Sequence, residues 1–368
     1  LHRYALQVII KQSGAAPDPV QKELLKMNYS VLIPAYQPDE KLYDLAKTLS
    51  EMKIPAVIVN DGSTEGLEVF ESCRGLSGVT VLGYAENHGK GYALKTGIRY
   101  LKEQGFDCAV TADADGQHLP KDIIRIAASS SENPAALIMG MRDVSLMPPR
   151  SKTGNSLTRT LFKLLYNIDL QDTQTGLRGI PLRDDNIQGL LGIVGNRYEY
   201  EMDMLVESAR LFPGGIIEVP IETVYIDNNA STHFHAIRDG SKVYKVLFRR
   251  FPKFLIASAS SFGVDYLLFN ALYYLLFRKV GPATVCARAV SAVYNYIVNK
   301  KLVFKDSGSK YNPVSYAVLA VAVLCANIAL MKLLVDLLHW PAFLAKILVE
   351  VVLYIVNFFI QQNLASRK

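Results

Sequence analysis

The sequence predicts a mainly parallel α/β domain followed by a bundle of four membrane-crossing helices. Three observations predict it. Five short strand-like runs alternate with stretches of helical length between residues 28 and about 235. Hydrophobic residues make up 50% of the 368-residue chain and charged residues 20%, and nearly all of the apolar excess lies after residue 250. The length suits about two domains of roughly 100–200 residues each, and a mean hydropathy of +0.15 excludes general disorder.

The strand-like runs are Tyr29–Ile33, Ala56–Val59, Val79–Leu82, Cys108–Thr111 and Ala136–Met139. Each precedes a helical-length stretch, the pattern of parallel βα units. Ligands of such sheets bind beyond the carboxyl ends of the strands, so the residues just after each run are the first candidates for chemistry. A helix is expected from Lys90 to about Leu101. From Asn155 to Asp169, Leu157, Leu161, Leu164, Leu165 and Ile168 fall at helical spacing with Arg159 and Lys163 alongside, as in an interfacial amphipathic helix. Asp239–Lys253 is a second basic segment and leads into the first span.

Phe254–Phe277 holds 24 residues with one charge, Asp265, enough to cross a hydrocarbon core about 30 Å thick. Pro313–Leu338 and Pro341–Leu364 give two more spans, each opened by a proline. Gly281–Phe304 completes the four, although it carries Arg288, Asn295, Asn299, Lys300 and Lys301. Lys242, Lys245, Arg249, Arg250 and Lys253 precede the first span, and Lys300, Lys301, Lys305 and Lys310 follow the second. The turn at His339-Trp340 has no Lys or Arg. Positive loops face the cytoplasm, so a multi-pass protein of the inner (plasma) membrane with a cytoplasmic α/β domain is expected; Arg278 and Lys279 run against it. Lys332 with Asp336, and Lys346 with Glu350, stand at i,i+4 and are expected to pair. The expected division is a flexible tail (1–26), the α/β domain (27–238), a juxtamembrane segment (239–253) and the membrane domain (254–364). The tail has no signal-peptide pattern, and Met27 is an alternative start.

Cys73, Cys108, Cys286 and Cys325 form no CxxC pair, which argues against a disulfide scaffold or zinc knuckle. A net charge of +6 is a weak global signal, and no basic-aromatic pattern suggests nucleic acid. His88, His118, His233 and His235 are not spaced as a metal set.

The chemistry concentrates in Asp113-Ala114-Asp115-Gly116-Gln117-His118, directly after a strand. Alternate residues of an extended chain face the same way, so Asp113, Asp115 and Gln117 can offer oxygens to one hard cation, Mg²⁺ or Mn²⁺. Such a cation neutralises a departing diphosphate; the bland alternative is an acidic turn. The first strand ends in Pro34-Ala35-Tyr36, a wall for a base, and the second in Val59-Asn60-Asp61, an acceptor for a base imide or ribose hydroxyl. Gly89-Lys90-Gly91 opens a helix but is no P-loop, because Gly83 stands six positions before Gly89 and Gly91 replaces the Ser or Thr.

Taken in order, IPAYQPD, VNDGST, NHGKGYA, DADGQH, MGMR, DTQTGLRG and RYEYEMDML resemble the family 2 glycosyltransferases of GT-A (Rossmann-like) fold, over about residues 29–245. The nearest subgroup is the polyprenyl-phosphate glycosyltransferases similar to dolichyl-phosphate mannose synthase. FGVDYLLFNALYYLLF and YNYIVNKKLVFK resemble the GtrA-like membrane domain often fused to them. The resemblance implies inverting, metal-dependent transfer from a nucleotide sugar to a polyprenyl phosphate, undecaprenyl phosphate in bacteria, for cell-envelope glycosylation. UDP-hexose or UDP-N-acetylhexosamine is the favoured donor and GDP-mannose the second.

Carried over residue by residue, the resemblance puts Pro34, Ala35, Tyr36, Val59 (by its backbone), Asp61, Lys90 and Ala114 on the donor. Asp113 and Asp115 serve nucleotide and metal, Gln117 completes the metal shell, and Arg142, Arg150 and Arg178 hold phosphates. Asp172, or Glu199 and Glu201, orient the acceptor or sugar hydroxyls, with structural roles open for the last two. The chain departs from the family where Pro38 displaces the acid to Asp39. It departs again at Asp227–His235, where His233 or His235 is left to replace a lost lysine. Two other classes compete. Processive polysaccharide synthases show a QxxRW signature, which the one tryptophan, Trp340, does not join. A flippase or scaffold with a nucleotide-sugar domain is opposed by the intact acidic cluster. A second copy of the chain stays open as a partner.

Overall fold

The computed structural model describes residues 28–182, 187–224, 238–277, 280–305 and 312–366. Contacts divide the chain into two units. One runs to Arg159 and includes Leu170–Val246; the other comprises Thr160–Asp169 and the chain from Leu247.

The first unit is built on seven strands, β1 (Tyr29–Ala35), β2 (Ala56–Asp61), β3 (Val79–Tyr84), β4 (Cys108–Thr111), β5 (Leu137–Met141), β6 (Arg178–Pro181) and β7 (Ile216–Pro220). Their order is β3-β2-β1-β4-β6-β5-β7. All neighbours are parallel except β6, which runs antiparallel to β4 and β5. The five expected strands are present, and β6 and β7 are additions. The helices that begin in this unit are α1 (Glu40–Glu51), α2 (Leu67–Arg74), α3 (Lys90–Glu103), α4 (Pro120–Glu132), α5 (Pro149–Tyr166), α6 (Ile187–Leu191), α7 (Glu199–Leu211) and α8 (Arg238–Leu247), of which α5 from Thr160 and the last residue of α8 belong to the second unit.

Periodicity explains these elements. On α1, Leu42, Leu45, Ala46 and Leu49 share the buried face and pack with Val31, Ile33, Ile58 and Val110 of the sheet. Asp39 caps α1 by accepting from the Lys41 N–H at 3.0 Å, so the displaced acid of the first motif has a helix to start. Parallel pairing sets Ala35 beside Asn60 and Asp61 beside Tyr84. The carboxyl ends of β1, β2, β3 and β4 thus share one edge of the sheet, and the antiparallel β6 begins there, with Arg178 beside Thr111.

Among its described residues the second unit contains four long helices: α9 (Phe251–Ala271, then π-helical to Phe277), α10 (Val280–Val298, then to Val303), α11 (Pro313–Lys332, then to Leu337) and α12 (Ala342–Ser366). They overlap the four segments expected as spans, and one of them, Phe251–Leu276, meets the length and hydropathy of a membrane-crossing helix among the described residues. The surface of this unit is apolar where that of a water-soluble bundle is polar, and some of its buried positions are amides. Phe262, Leu267, Leu275, Val285 and Val318 are exposed, while the buried Asn299 amide donates to Asn295 Oδ1 at 2.6 Å and Gln361 Oε1 at 3.2 Å. Asn295 in turn donates to Ser261 Oγ at 2.8 Å. Interhelical amide bonds inside and apolar side chains outside suit a lipid solvent.

The charges inside the spans pair differently from expectation. Asp265 accepts from Ser291 Oγ at 3.0 Å and lies 3.6 Å from Arg288 Nε across α9 and α10. No Lys332–Asp336 ion pair occurs among the described residues: Leu333–Leu337 winds as a π-helix, whose wider turn takes i+4 off the line of i. The side chains of Lys346 and Glu350 lie outside the described residues.

Candidate active site

The acidic loop lies where β4 ends at the sheet edge. The Asp113 N–H donates to His118 Nδ1 at 2.9 Å, and the Gln117 N–H to Asp115 Oδ1 at 3.0 Å. The loop therefore curls back on itself and keeps the two carboxylates close. Lys90, the first residue of α3, places its Nζ 2.6 Å from Asp113 Oδ1 and 3.1 Å from Glu201 Oε2. Burial pushes the Asp113 carboxyl up, but Lys90 and other cations outweigh it and bring it down to about 2. Burial likewise pushes the Lys90 ammonium down, and Asp113 and Glu201 reverse this and hold it above the ordinary lysine range. Asp115 is raised by burial and by the neighbouring Asp113 charge, and burial lowers His118 against the pull of both carboxylates. The loop thus carries one carboxylate neutralised by Lys90 and a second short of positive charge.

Gly176 backs this arrangement. A Cβ there would stand 2.5 Å from Asp113 Oδ2, and its carbonyl accepts from Thr111 Oγ1 at 2.7 Å. This close approach explains a glycine at that place in the DTQTGLRG motif.

A second charged group lies at the end of β5. Arg142 binds Asp172 through both ends of its fork, Nε to Oδ2 at 2.7 Å and Nη2 to Oδ1 at 3.1 Å. The Asp172 side chain is 0% exposed and that of Arg142 20%, so the carboxylate is the hidden member and aims the guanidinium. Glu218 of β7 fixes the backbone beneath, accepting from the N–H of Gln171 at 2.7 Å and of Asp172 at 2.8 Å. Burial raises its carboxyl.

Other expected residues take different places. Arg178 is almost fully buried, with Nε donating to Thr175 O at 2.9 Å and Nη1 to Glu201 O at 2.6 Å. Opening β6 inside the unit, it is a buried counter-charge rather than an open phosphate contact. Asp61 is also buried. Its Oδ1 accepts from Tyr84 OH at 2.7 Å and the His88 N–H at 3.0 Å, and its Oδ2 from the Gly89 N–H at 2.9 Å and Asn87 Nδ2 at 3.1 Å. This carboxylate shapes the loop before Lys90. Pro34, Ala35 and Val59 are buried, Ala114 and Gln117 half-buried, and Tyr36 is exposed. The side chains of Arg150, His233 and His235 lie outside the described residues. The sequence left Glu201 undecided and gave no role to Tyr84, Gly176 or Glu218; only Tyr84, at the end of a strand-like run, carried a positional signal.

The mixed sheet with one reversed strand is of GT-A type, with two carboxylates, a lysine at a helix start and a clamped arginine at its edge. Residues 30–183 match the family model described as Glycosyl transferase family 2, and residues 253–365 the one described as GtrA/DPMS, transmembrane domain. The chain therefore combines a glycosyltransferase family 2 domain with a GtrA/DPMS transmembrane domain.

Three relatives align with part of the chain. The UDP-N-acetylglucosamine–dolichyl-phosphate N-acetylglucosaminyltransferase of Methanococcus voltae is 26% identical over 61% of this chain and 97% of its own length. The undecaprenyl-phosphate mannosyltransferase of Micrococcus luteus is 29% identical over 54% of this chain and 84% of its own. The polyprenol monophosphomannose synthase of Mycolicibacterium smegmatis is 23% identical over 57% and 82%.

Proposed function

We propose that the protein transfers a sugar from a nucleotide-sugar donor to the phosphate of a polyprenyl phosphate in the bilayer, with inversion at the anomeric carbon. The observation that carries this reading is the Asp113–Asp115 loop flanked by Lys90 and by the Asp172-clamped Arg142, in a chain whose second part is a membrane domain. The names of the three relatives support the lipid phosphate as acceptor.

The donor set fits a divalent cation. It is all oxygen, from Asp113 and Asp115 with Gln117 in the same loop, and Asp115 lacks the lysine that neutralises Asp113. Among the described residues no group of three or more His, Cys, Asp or Glu side chains could cage a metal. That suits Mg²⁺ or Mn²⁺, which bind through one or two carboxylates and complete their shell with substrate phosphates. When bound, the cation offsets the charge of the departing nucleoside diphosphate.

This chain's own residues do the rest by position and charge. Lys90 sits at the start of α3, where the helix dipole also favours an anion, and holds the diphosphate beside the acidic loop. Arg142, fixed by Asp172, holds a phosphate oxygen of donor or acceptor. Tyr36 supplies the wall for the base, and Asp61 shapes the loop that presents Lys90. The attacking phosphate is already an anion at neutral pH, so no strong general base is needed. Leu157 and Leu164 are exposed on α5 beside Lys163, which pairs with Asp169 at 2.5 Å, and we assign this face to the surface of the cytoplasmic leaflet through its apolar side chains.

The donor is assigned as UDP-hexose or UDP-N-acetylhexosamine. GDP-mannose is the second reading, favoured by the two mannose-named relatives. The test uses membranes containing the protein, polyprenyl phosphate, Mn²⁺ and labelled UDP-glucose, UDP-N-acetylglucosamine and GDP-mannose in turn. Label enters the lipid phase from one donor, is lost with EDTA and returns with added Mn²⁺. No lipid label from any donor removes the reading.

A further inference from the structure

We propose that Lys95 is a positioning residue for the donor-phosphate site: it clamps the segment Ile193–Asn196 so that Glu201, in the first turn of α7, holds Lys90 against Asp113. The inference rests on the reading of Lys90 and Asp113 given above.

Lys95 lies five residues after Lys90 on α3 and is 8% exposed. A buried ammonium is costly unless each of its three N–H groups finds an acceptor. All three do: Nζ donates to Ile193 O at 2.8 Å, Gly195 O at 3.1 Å and Asn196 Oδ1 at 2.6 Å. It also lies 5.4 Å from the centroid of the Tyr200 ring. One cation thus gathers two carbonyls, an amide oxygen and an aromatic face from a segment about 100 residues away in sequence.

That segment closes on the start of α3. The Tyr92 N–H is shared between Asn196 O and Gly89 O, each at 2.9 Å. A Cβ on Gly91 would stand 2.4 Å from Tyr200 Cβ, and one on Gly89 2.7 Å from Asn196 O. The glycines on either side of Lys90 therefore serve an approach between two backbones, which no larger residue permits without a shift. Glu199 ties the turn to the helix, its Oε1 accepting from the N–H groups of Asn196 and Arg197, each at 3.3 Å.

Glu201 follows two residues later and is held from the other side as well, because its carbonyl accepts from the buried Arg178 at 2.6 Å. Lys95 thus grips the segment before α7 and Arg178 the carbonyl of Glu201, while the Glu201 carboxylate meets Lys90 at 3.1 Å. Without Lys95, the Lys90 ammonium keeps Asp113 but loses the second carboxylate that sets its direction.

The test is a double-mutant cycle on the full-length protein with the donor that supports transfer. Lys95→Met, which keeps the stem and loses the ammonium, is expected to lower kcat about tenfold with less than about a threefold change in donor KM. In the Lys90→Met background the same substitution is expected to change kcat by less than about twofold, because its route of action is already gone. Equal losses in both backgrounds overturn the proposal. If Lys95→Met does not fold, Asn196→Ala, which removes one of the three acceptors, enters the same cycle.

Amide exchange at Tyr92 gives a readout independent of transfer. Exchange in Lys95→Met faster than in the parent supports the clasp, whereas unchanged exchange overturns it even if no donor supports transfer.

Discussion

Asp115→Ala lowers transfer by on the order of 10³-fold while leaving the thermal midpoint within about 2 °C of the parent. The asymmetry follows from the surroundings of this carboxylate. Asp115 is half-buried at the sheet edge, and the bond it receives, from the Gln117 N–H at 3.0 Å, belongs to its own loop. Folding therefore asks little of it. The proposed cation asks much, because Asp113 is already engaged by Lys90 at 2.6 Å. The checks are initial rates at saturating donor and Mn²⁺, and thermal unfolding of the same preparation. Full activity of the variant would remove Asp115 from the metal site.

Asp172→Asn has the opposite balance. Here the carboxylate is fully buried and both oxygens face Arg142, while its Oδ1 also accepts from the Gln174 N–H at 3.0 Å. The amide turns one acceptor into a donor aimed at another donor and leaves a guanidinium without its counter-charge. Breaking such a pair costs about 3 kcal/mol, or about 6–12 °C in thermal midpoint for a unit of this size. Transfer at a temperature where the variant is folded falls as well, since Arg142 loses its aim. Differential scanning fluorimetry of the full chain checks the first effect, and an unchanged midpoint would show that the pair is not the brace described here.

The parts that sequence pattern captured are those whose signal is local. β1 to β5 are short apolar runs bounded by turn residues, and the four long helices announce themselves by composition. β6 escaped because Arg178-Gly179-Ile180-Pro181 carries a charge, a glycine and a proline in four residues; its place comes from antiparallel pairing with β4 and β5. β7, Ile216–Pro220, is short and enclosed by glycines and prolines, so it reads as a loop.

The site divides in the same way. Asp113, Asp115 and Lys90, which we assign to the site, stand out in the sequence because they closely follow a strand or open a helix. Arg178 and Asp61, which the resemblance puts on substrate, are engaged within the protein by a buried strand start and a hydrogen-bonded loop, contacts that the sequence does not announce. Glu218 and Lys95 act on partners about 46 and 100 residues away, a separation that no window along the chain reports.

In the proposed reaction the acceptor is a lipid phosphate whose own charge stands in for a catalytic base. The most direct measurement compares three acceptors of one chain length, a polyprenyl monophosphate, the matching diphosphate and the free polyprenol, with the active labelled donor and the purified full-length protein. Label in the monophosphate product alone, released as free sugar by mild acid, is the predicted result. Label on the free alcohol, or on none of the three while the donor is still consumed, would contradict it.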